Sequence, residues 1–175
     1  MQSKSVGGFE KINSFDEESE ELVEKRRRFV VHEHHATNLH FDLRLEMGGV
    51  LKSWAVPKGL SLNPNHKRLA IEVPDHSLSY INFVGTIAEG RYGAGRVVIW
   101  DNGEYLTKTN PLEQLEKGRL NFTFYGEKLR GGFSLLQMKD RKGQWLVIKS
   151  RDEFADLNWN LKTVLKPKLR KEKKN

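Results

Sequence analysis

Short β-rich segments separated by turns recur along most of this chain, and this pattern limits the fold more than any other feature of the sequence. The segment His40–Glu46 alternates strictly between polar and apolar residues, so its apolar side chains share one face of a strand and its polar side chains the other. Similar segments follow as far as Lys149, with glycine or proline at many of their boundaries. About eight short strands at this spacing predict a mainly β fold, an antiparallel sandwich or barrel.

Tight hairpins and few helical turns are expected within this series. Met47–Gly49 and Asp101–Asn102 each separate two β-rich segments, which is typical of a hairpin turn. Inside the body, only residues 111–117 and 152–157 suggest helical turns. Ahead of the strands, acidic residues placed four positions before basic ones predict a short exposed N-terminal helix over roughly 16–27.

The chain divides into an N-terminal arm of residues 1–28, a β domain of residues 29–160 and a basic C-terminal tail of residues 161–175. The formal net charge is +7, and most of it lies in the last ten residues, which hold six Lys or Arg and one Glu. A basic tail on a nearly neutral body is typical of a tether for nucleic acid. The alternative is a solvated, disordered terminus.

Several classes of protein are excluded by what the sequence lacks. There is no cysteine, which rules out disulfides, thiolate zinc sites and thiol nucleophiles. No apolar stretch approaches the ~18 residues that a membrane span requires. The N-terminus is polar and has no apolar signal core, so we expect an intracellular, cytoplasmic protein.

The chemistry of the chain is concentrated in its histidines, all six of which lie within 45 residues. In the pattern His34-x5-His40-x-Asp42, His40 and Asp42 leave the same face of an alternating strand, and a short loop can bring the preceding strand, with His34, alongside. Two imidazoles and one carboxylate predict a site with open coordination positions for Mn²⁺, Fe²⁺ or Zn²⁺. A polar sheet face in water is the alternative.

Four further residues are candidates near this set. Arg44 continues the polar row and could hold a phosphate oxygen with its forked donors, or pair with a neighbouring carboxylate. His76 follows a strand and could be a further ligand, a phosphate donor or a general acid, with the Tyr80 hydroxyl in the same region. His32 shares strand parity with His34 and could orient the ligands from behind. For His76 and Tyr80, a surface histidine and a core tyrosine are the alternatives.

A glycine-rich segment, Glu89–Arg96, does not have the glycine order of a dinucleotide fingerprint, and no P-loop Lys-Ser/Thr follows it. We interpret it as a tight turn that lets the backbone approach another backbone segment or a ligand.

Together, these residues resemble the 3′-phosphoesterase domain of bacterial DNA ligase D and its stand-alone relatives. The resemblance covers about residues 29–150, and we expect a stand-alone domain without a ligase or polymerase module. It is carried by five motifs in the family's order: Val30–Glu46, Leu51–Gly59, Lys67–Ala70, Asp75-His76 and Glu89–Gly95.

The resemblance implies a small β-barrel and a Mn²⁺-dependent DNA-repair nuclease that acts on the 3′ end of a primer strand. Members of the family remove a 3′-terminal ribonucleoside and then the remaining 3′-phosphate, which leaves a 3′-OH that a separately encoded DNA ligase could seal. The metal could also be Zn²⁺ or Co²⁺. Transferred by position, the resemblance makes His34, His40 and Asp42 the metal ligands. It places Arg44, His76 and Tyr80 at the scissile phosphate, with Arg44 and His76 catalytic, and Lys58, Arg68 and Ser53 in the substrate pocket.

The chain departs from the family pattern at three places. His32 stands where the family usually has Gln, and Pro74 stands where it usually has an acidic residue. The Arg-Asp pair that the family's N-terminal arm commonly carries is not found in residues 1–28.

Two other functions fit parts of the pattern. His40-x-Asp42 with a distal histidine, His76, also describes the iron site of a 2-oxoglutarate oxygenase on a β-barrel. A non-catalytic nucleic-acid-binding barrel, in which the histidines hold a structural metal, is the other alternative.

Overall fold

A computed structural model of the chain describes residues 25–166. In chain order the elements are β1 (Arg27–His35), β2 (Leu39–Met47), β3 (Val50–Val56), β4 (Arg68–His76), a 3₁₀ helix (Leu78–Asn82), β5 (Gly85–Ile87), β6 (Gly95–Leu106), α1 (Pro111–Glu116), β7 (Arg119–Gly126), β8 (Arg130–Gln137) and β9 (Gln144–Lys149). Among these residues, no helix is long and apolar enough to cross a membrane.

Eight of the strands close into an antiparallel barrel. Their order around it is β1, β2, β3, β4, β9, β8, β7 and β6, and the pairing of β6 with β1 completes the ring. The short strand β5 pairs only with the first residues of β6 and lies outside the ring. The predicted mainly β fold is confirmed. Of the two architectures that the strand pattern allows, the structure has the barrel that the family resemblance implies.

The alternation of β2 separates the core from the polar row. Phe41, Leu43 and Leu45 point into the barrel and are at most 2% exposed, packed with large side chains of other strands such as Trp54 and Phe124. Burial of each such side chain stabilises the fold by about 1.5–3 kcal/mol. Because successive side chains of a strand alternate, the polar residues of β2 face the outside of the barrel.

The predicted hairpin at Asp101–Asn102 is wrong. Both residues lie inside β6, which runs unbroken through this point and pairs with β1 on both sides of a bulge at Trp100. The Asp101 carboxylate is buried and accepts hydrogen bonds of 2.8–3.2 Å from the three backbone amides of residues 127–129. Asp is common in turns, but Asp101 is not itself in one: its carboxylate caps the backbone amides of the neighbouring turn between β7 and β8.

The smaller elements agree only in part with the sequence. The helical turn expected at 111–117 is present as α1, and the Asn110 side chain caps its first amides. Residues 152–157 form turns without a helix, and neither β5 nor the 3₁₀ helix was predicted. Of the helix expected over 16–27, the part before Lys25 lies outside the described residues, and Arg27 already begins β1.

The segment after β9 packs back onto the barrel. Trp100 Nε1 donates to the Lys162 carbonyl at 2.8 Å. The backbone amides of Val164 and Leu165 donate to the buried Glu33 carboxylate at 2.6 and 2.9 Å. The first residues of the predicted basic tail therefore contact the barrel, whereas residues 167–175 lie outside the described part of the chain.

Candidate active site

The candidate site lies on the outer face of three neighbouring strands, β1, β2 and β3. Antiparallel pairing places His34 opposite His40, His32 opposite Asp42, and Arg44 opposite Ser53. The 3₁₀ helix covers the same face, since its Ile81 packs against Val30 and Leu51 of these strands. The site is thus a polar layer between the barrel wall and this cover.

His34, His40 and Asp42 converge on one point. One ligand atom from each of the three lies within 4.8 Å of the others. Asp42 Oδ2 is 3.3 Å from His34 Nδ1, and Asp42 Oδ1 is 3.3 Å from His40 Nε2. The three side chains therefore converge as the spacing of the residues predicts, and the two imidazoles approach different oxygens of the carboxylate.

Two backbone carbonyls orient the histidines. The Gly93 carbonyl lies 2.6 Å from His34 Nε2, and the Asn38 carbonyl lies 3.0 Å from His40 Nδ1. Gly93 has a positive φ of 72°, and a Cβ at Gly95 would collide with the His35 carbonyl oxygen. The glycine-rich segment is therefore a tight turn with close backbone approaches, as predicted.

The residues of this group fit a divalent transition metal. Asp42 is only 6% exposed, and its burial favours the protonated acid. Hydrogen bonds from His34 and His40 outweigh that effect and hold the Asp42 pKa well below its usual range, so the carboxylate is charged. A buried anion flanked by two imidazoles is a donor set suited to Mn²⁺ or Zn²⁺. The hydrogen bond to Asp42 in turn raises the His40 pKa.

Arg44 connects this group to the rest of the site. Its guanidinium is buried, with Nε donating to His32 Nδ1 at 3.1 Å and Nη1 donating to Ser53 Oγ at 2.9 Å. Nη2 lies 3.5 Å from Asp42 Oδ2. Burial, and then the charge of Arg44, lower the His32 pKa to about 4, so His32 is a neutral acceptor behind Arg44.

His76 and Tyr80 complete the arrangement around the guanidinium. His76 Nδ1 is 3.0 Å from Arg44 Nη1, which can only donate, and 3.1 Å from the Pro74 carbonyl oxygen, which can only accept, so the two contacts favour opposite tautomers. The Tyr80 ring centroid is 5.0 Å from the guanidinium carbon and 4.9 Å from the His76 ring. Burial and then Arg44 lower the His76 pKa, while burial raises the Tyr80 pKa. Both groups are therefore neutral near pH 7.

The structure brings together eight of the ten side chains singled out from the sequence. They are His32, His34, His40, Asp42, Arg44, Ser53, His76 and Tyr80. Lys58 is exposed in the turn after β3, and Arg68 Nη2 lies 3.3 Å from His66 Nδ1. Within residues 25–166, neither Lys58 nor Arg68 forms a hydrogen bond or an ion pair with the eight.

One alternative loses support from this geometry. An oxygenase site would need His76 as a third ligand beside His40 and Asp42. The group of possible ligands among the described residues contains His34 instead, and His76 Nδ1 faces Arg44.

Parts of the site that the sequence did not reveal are backbone groups and covering elements. The carbonyls of Asn38 and Gly93 carry no side-chain signature, although the glycine-rich segment marked the second as a close approach. The 3₁₀ helix that brings Tyr80 over Arg44 has only five residues, too few to produce a helical periodicity.

Comparison with known proteins agrees with this geometry. Residues 32–137 match the family model described as the DNA Ligase D 3′-phosphoesterase domain. The matched range contains all eight side chains of the site and both carbonyls that orient the histidines.

Related proteins include three multifunctional non-homologous end joining proteins named LigD. The chain is 48% identical to that of Pseudomonas aeruginosa over 130 residues, 44% identical to that of Mycolicibacterium smegmatis over 132 residues, and 40% identical to that of Mycobacterium tuberculosis over 125 residues. These matches cover 71–73% of this chain but only 16–17% of each relative. The chain thus corresponds to about one sixth of the length of these relatives.

Proposed function

Since the chain belongs to the DNA ligase D 3′-phosphoesterase family, we propose that it is a metal-dependent hydrolase of DNA repair that heals 3′ ends. Its substrates would be primer–template ends, from which it removes 3′-terminal ribonucleosides and 3′-phosphates to leave a 3′-OH. A separately encoded DNA ligase would use the product. One observation carries the proposal: the His34–His40–Asp42 group, in which His34 and Asp42 are buried and His40 is partly exposed, adjoins the buried Arg44.

The metal would be held by His34, His40 and Asp42, and Mn²⁺ is the ion we propose. When bound, it would act as a Lewis acid toward a phosphate oxygen. Asp42 also lies within reach of Arg44, so the carboxylate holds the guanidinium beside the metal ligands. The phosphate would therefore meet two positive charges on the same side of the barrel.

Arg44 would bind and stabilise the phosphate. A guanidinium has five N–H donors, and the contacts with His32, Ser53 and His76 use three of them. The Nη2 donors remain for Asp42 and for a phosphate oxygen. Donors fixed in this way before the substrate arrives stabilise the charge that grows on the phosphate in the transition state.

His76 and Tyr80 would act as neutral donors beside Arg44. Nδ1 of His76 is occupied by Arg44 and the Pro74 carbonyl, so Nε2 is the nitrogen that would face the substrate. In the tautomer that accepts from Arg44, it can donate Nε2–H to a phosphate oxygen or to the leaving oxygen. The protonated Tyr80 hydroxyl can serve the same phosphate. We place Lys58 and Arg68 at parts of the substrate away from the scissile phosphate, because neither forms a hydrogen bond or an ion pair with Arg44 or with the other side chains of the site.

The metal assignment predicts a specific loss in the His40→Ala variant. Removing one of three ligands should abolish stoichiometric Mn²⁺ binding and both phosphoesterase activities. Bound metal is measured on gel-filtered protein by elemental analysis, and activity on labelled primers. His66→Ala is the control for metal binding, since His66 contacts Ser61 and Arg68 and none of the three ligands, and it should leave the Mn²⁺ stoichiometry unchanged. Retained turnover in His40→Ala would contradict the assignment.

The activity itself is tested on a 5′-labelled DNA primer–template that ends in one ribonucleotide, with Mn²⁺ or with EDTA. We expect metal-dependent shortening to a 3′-phosphate end and then to a 3′-OH end. Removal of a 3′-phosphate without cleavage of the ribonucleoside would restrict the proposal to a monoesterase, in line with the missing Arg-Asp pair. A protein that binds primer ends without turning them over would instead be a binding module.

A further inference from the structure

A groove runs beside the metal-ligand group. Its volume is about 870 Å³, and its walls are the β1–β2 loop, residues 36–38, with the first residue of β2, and the segment around β5 and the start of β6. Leu165 and Lys166, where the described chain ends, also line it. The groove lies in the size range of ligand sites in proteins.

The same two loops that form the groove orient the metal ligands. Asn38, in one wall, offers its carbonyl to His40, and Gly93, in the glycine-rich turn of the other, offers its carbonyl to His34. A chain lying in the groove would therefore lead directly to the metal-ligand group. No side chain of the proposed mechanism lines the groove.

The chemistry of the surface fits a nucleic-acid strand. Arg96 and Lys166 line the groove and are exposed, with Glu89 as a single acidic residue on the same wall. On the glycine-rich turn between Glu89 and Arg96, Tyr92 is 93% exposed and directly precedes Gly93. Basic side chains along a groove, with an exposed aromatic ring beside it, are the features by which proteins hold single-stranded nucleic acid.

We propose that this groove binds the last nucleotides of the strand whose 3′ end is processed. Tyr92 stacks on a base near the end, while Arg96 and Lys166 contact backbone phosphates. The inference rests on the proposed function, because that function places the strand end at His34, His40 and Asp42. It adds a binding surface and three residues that the chemistry of the site does not use.

Binding without turnover tests the groove. The probe is a 5′-fluorescein DNA 12-mer with a 3′-OH, titrated with the full chain in EDTA and followed by fluorescence polarisation. Tyr92→Ala should weaken binding about tenfold, as expected for the loss of one stacked base, whereas Tyr92→Phe should stay close to wild type. Tyr125→Ala, which removes a partly exposed aromatic ring from β7, is the matched control and should have no effect.

The phosphate contact has its own signature. Arg96→Gln should reduce the slope of log K against log salt by about 0.7, the value for one phosphate contact on a single strand. Arg141→Gln, in the exposed turn between β8 and β9, is the control of equal charge and should leave the slope unchanged.

A fluorescent base locates the stacking. With 2-aminopurine as the last nucleotide or the one before it, wild type and Tyr92→Phe should quench the probe, and Tyr92→Ala should not. Equal affinity and equal quenching in wild type and Tyr92→Ala would contradict the proposed role of the groove, even if primers are processed. Failure of the wild type to bind would overturn it too. Tyr92-dependent quenching without processing would overturn the proposed function but would support the groove as a binding site for the end of a nucleic-acid strand.

Discussion

Arg44 is the residue on which the candidate site depends most. Its guanidinium reaches His32, Ser53, His76 and Asp42 at once, although it lies in the middle of a β-strand. A planar fork with donors in fixed directions can make these contacts together, whereas a lysine ammonium is a single point of charge. The charge and the geometry of Arg44 can therefore be separated by mutation.

We expect Arg44→Lys to lower phosphoesterase activity about 10²- to 10³-fold, because the charge remains but the preorganised donors are lost. Mn²⁺ binding should persist, since the three metal ligands are unchanged. Single-turnover cleavage of a 3′-phosphate primer measures the effect. Arg28→Lys, in the exposed ion pair with Glu46, should keep activity within about twofold. Comparable losses in the two variants would contradict this role of Arg44.

At the scale of elements, the turn between β7 and β8 is stabilised by a side chain of the neighbouring strand β6. The buried Asp101 of β6 accepts three backbone amides of the β7–β8 turn. The turn thus depends on a residue about 26 positions earlier in the chain. This arrangement is the reason why Asp101–Asn102 does not itself form a turn.

Asp101→Asn should lower the free energy of unfolding by about 2 kcal/mol, because one acceptor oxygen is replaced by a donor that faces backbone N–H groups. Urea denaturation measures the change. Asp140→Asn is the control, because Asp140 is exposed and has a positive φ of 60°, which asparagine tolerates. The urea midpoint of this variant should equal that of wild type. A stable Asp101→Asn protein would show that the cap is dispensable.

For the whole molecule, an ion pair near the end of the barrel makes stability depend on pH. The buried Lys149 ammonium lies 2.6 Å from Asp152 Oδ1, and the amides of Gly132 and Phe154 also donate to this carboxylate. Burial alone would raise the Asp152 pKa, but these hydrogen bonds outweigh burial and lower it. Asp152 therefore stabilises the fold above its unfolded pKa of about 3.9.

The Asp152→Asn variant should be less stable than wild type by about 1 kcal/mol at pH 7 and at pH 5, because water screens the partly exposed carboxylate. The difference should shrink below about pH 4, as the native carboxylate becomes protonated in the wild type. Chemical denaturation at pH 7, 5 and 3 provides the comparison. A difference that is as large at pH 3 as at pH 7 would rule out the ionised carboxylate as its source.

The charge of the whole chain should also be visible in DNA binding. Residues 166–175 carry six basic residues and one acidic residue. Their removal should weaken binding at low salt and reduce the salt slope by up to about four, without regard to DNA sequence. Polarisation titrations between 50 and 200 mM salt are the measurement. Unchanged affinity of the truncated protein at low salt would argue against a tether.

Much of this molecule could be predicted from local sequence. The alternation in His40–Glu46 correctly predicts which side chains lie in the core and which lie outside it. The spacing of His34, His40 and Asp42 correctly predicts that their side chains converge. Where long-range pairing decides the outcome, local signals failed. Asp101–Asn102 resembles a turn because Asp and Asn are common in turns. The amides that Asp101 binds lie in the β7–β8 turn, far along the chain, so local sequence does not reveal them. The position of Tyr80 depends on a covering segment without periodicity.

The alternation of the strands that carry the site has one more consequence. In β2, every residue that binds or orients the metal group neighbours a residue of the core, so a shift of pairing by one position would turn Phe41 and Leu43 toward solvent and Asp42 inward. Such a molecule would lose its apolar interior as well as its ligands. Misaligned forms are thus eliminated by their own instability, and a chain that completes folding carries an assembled site.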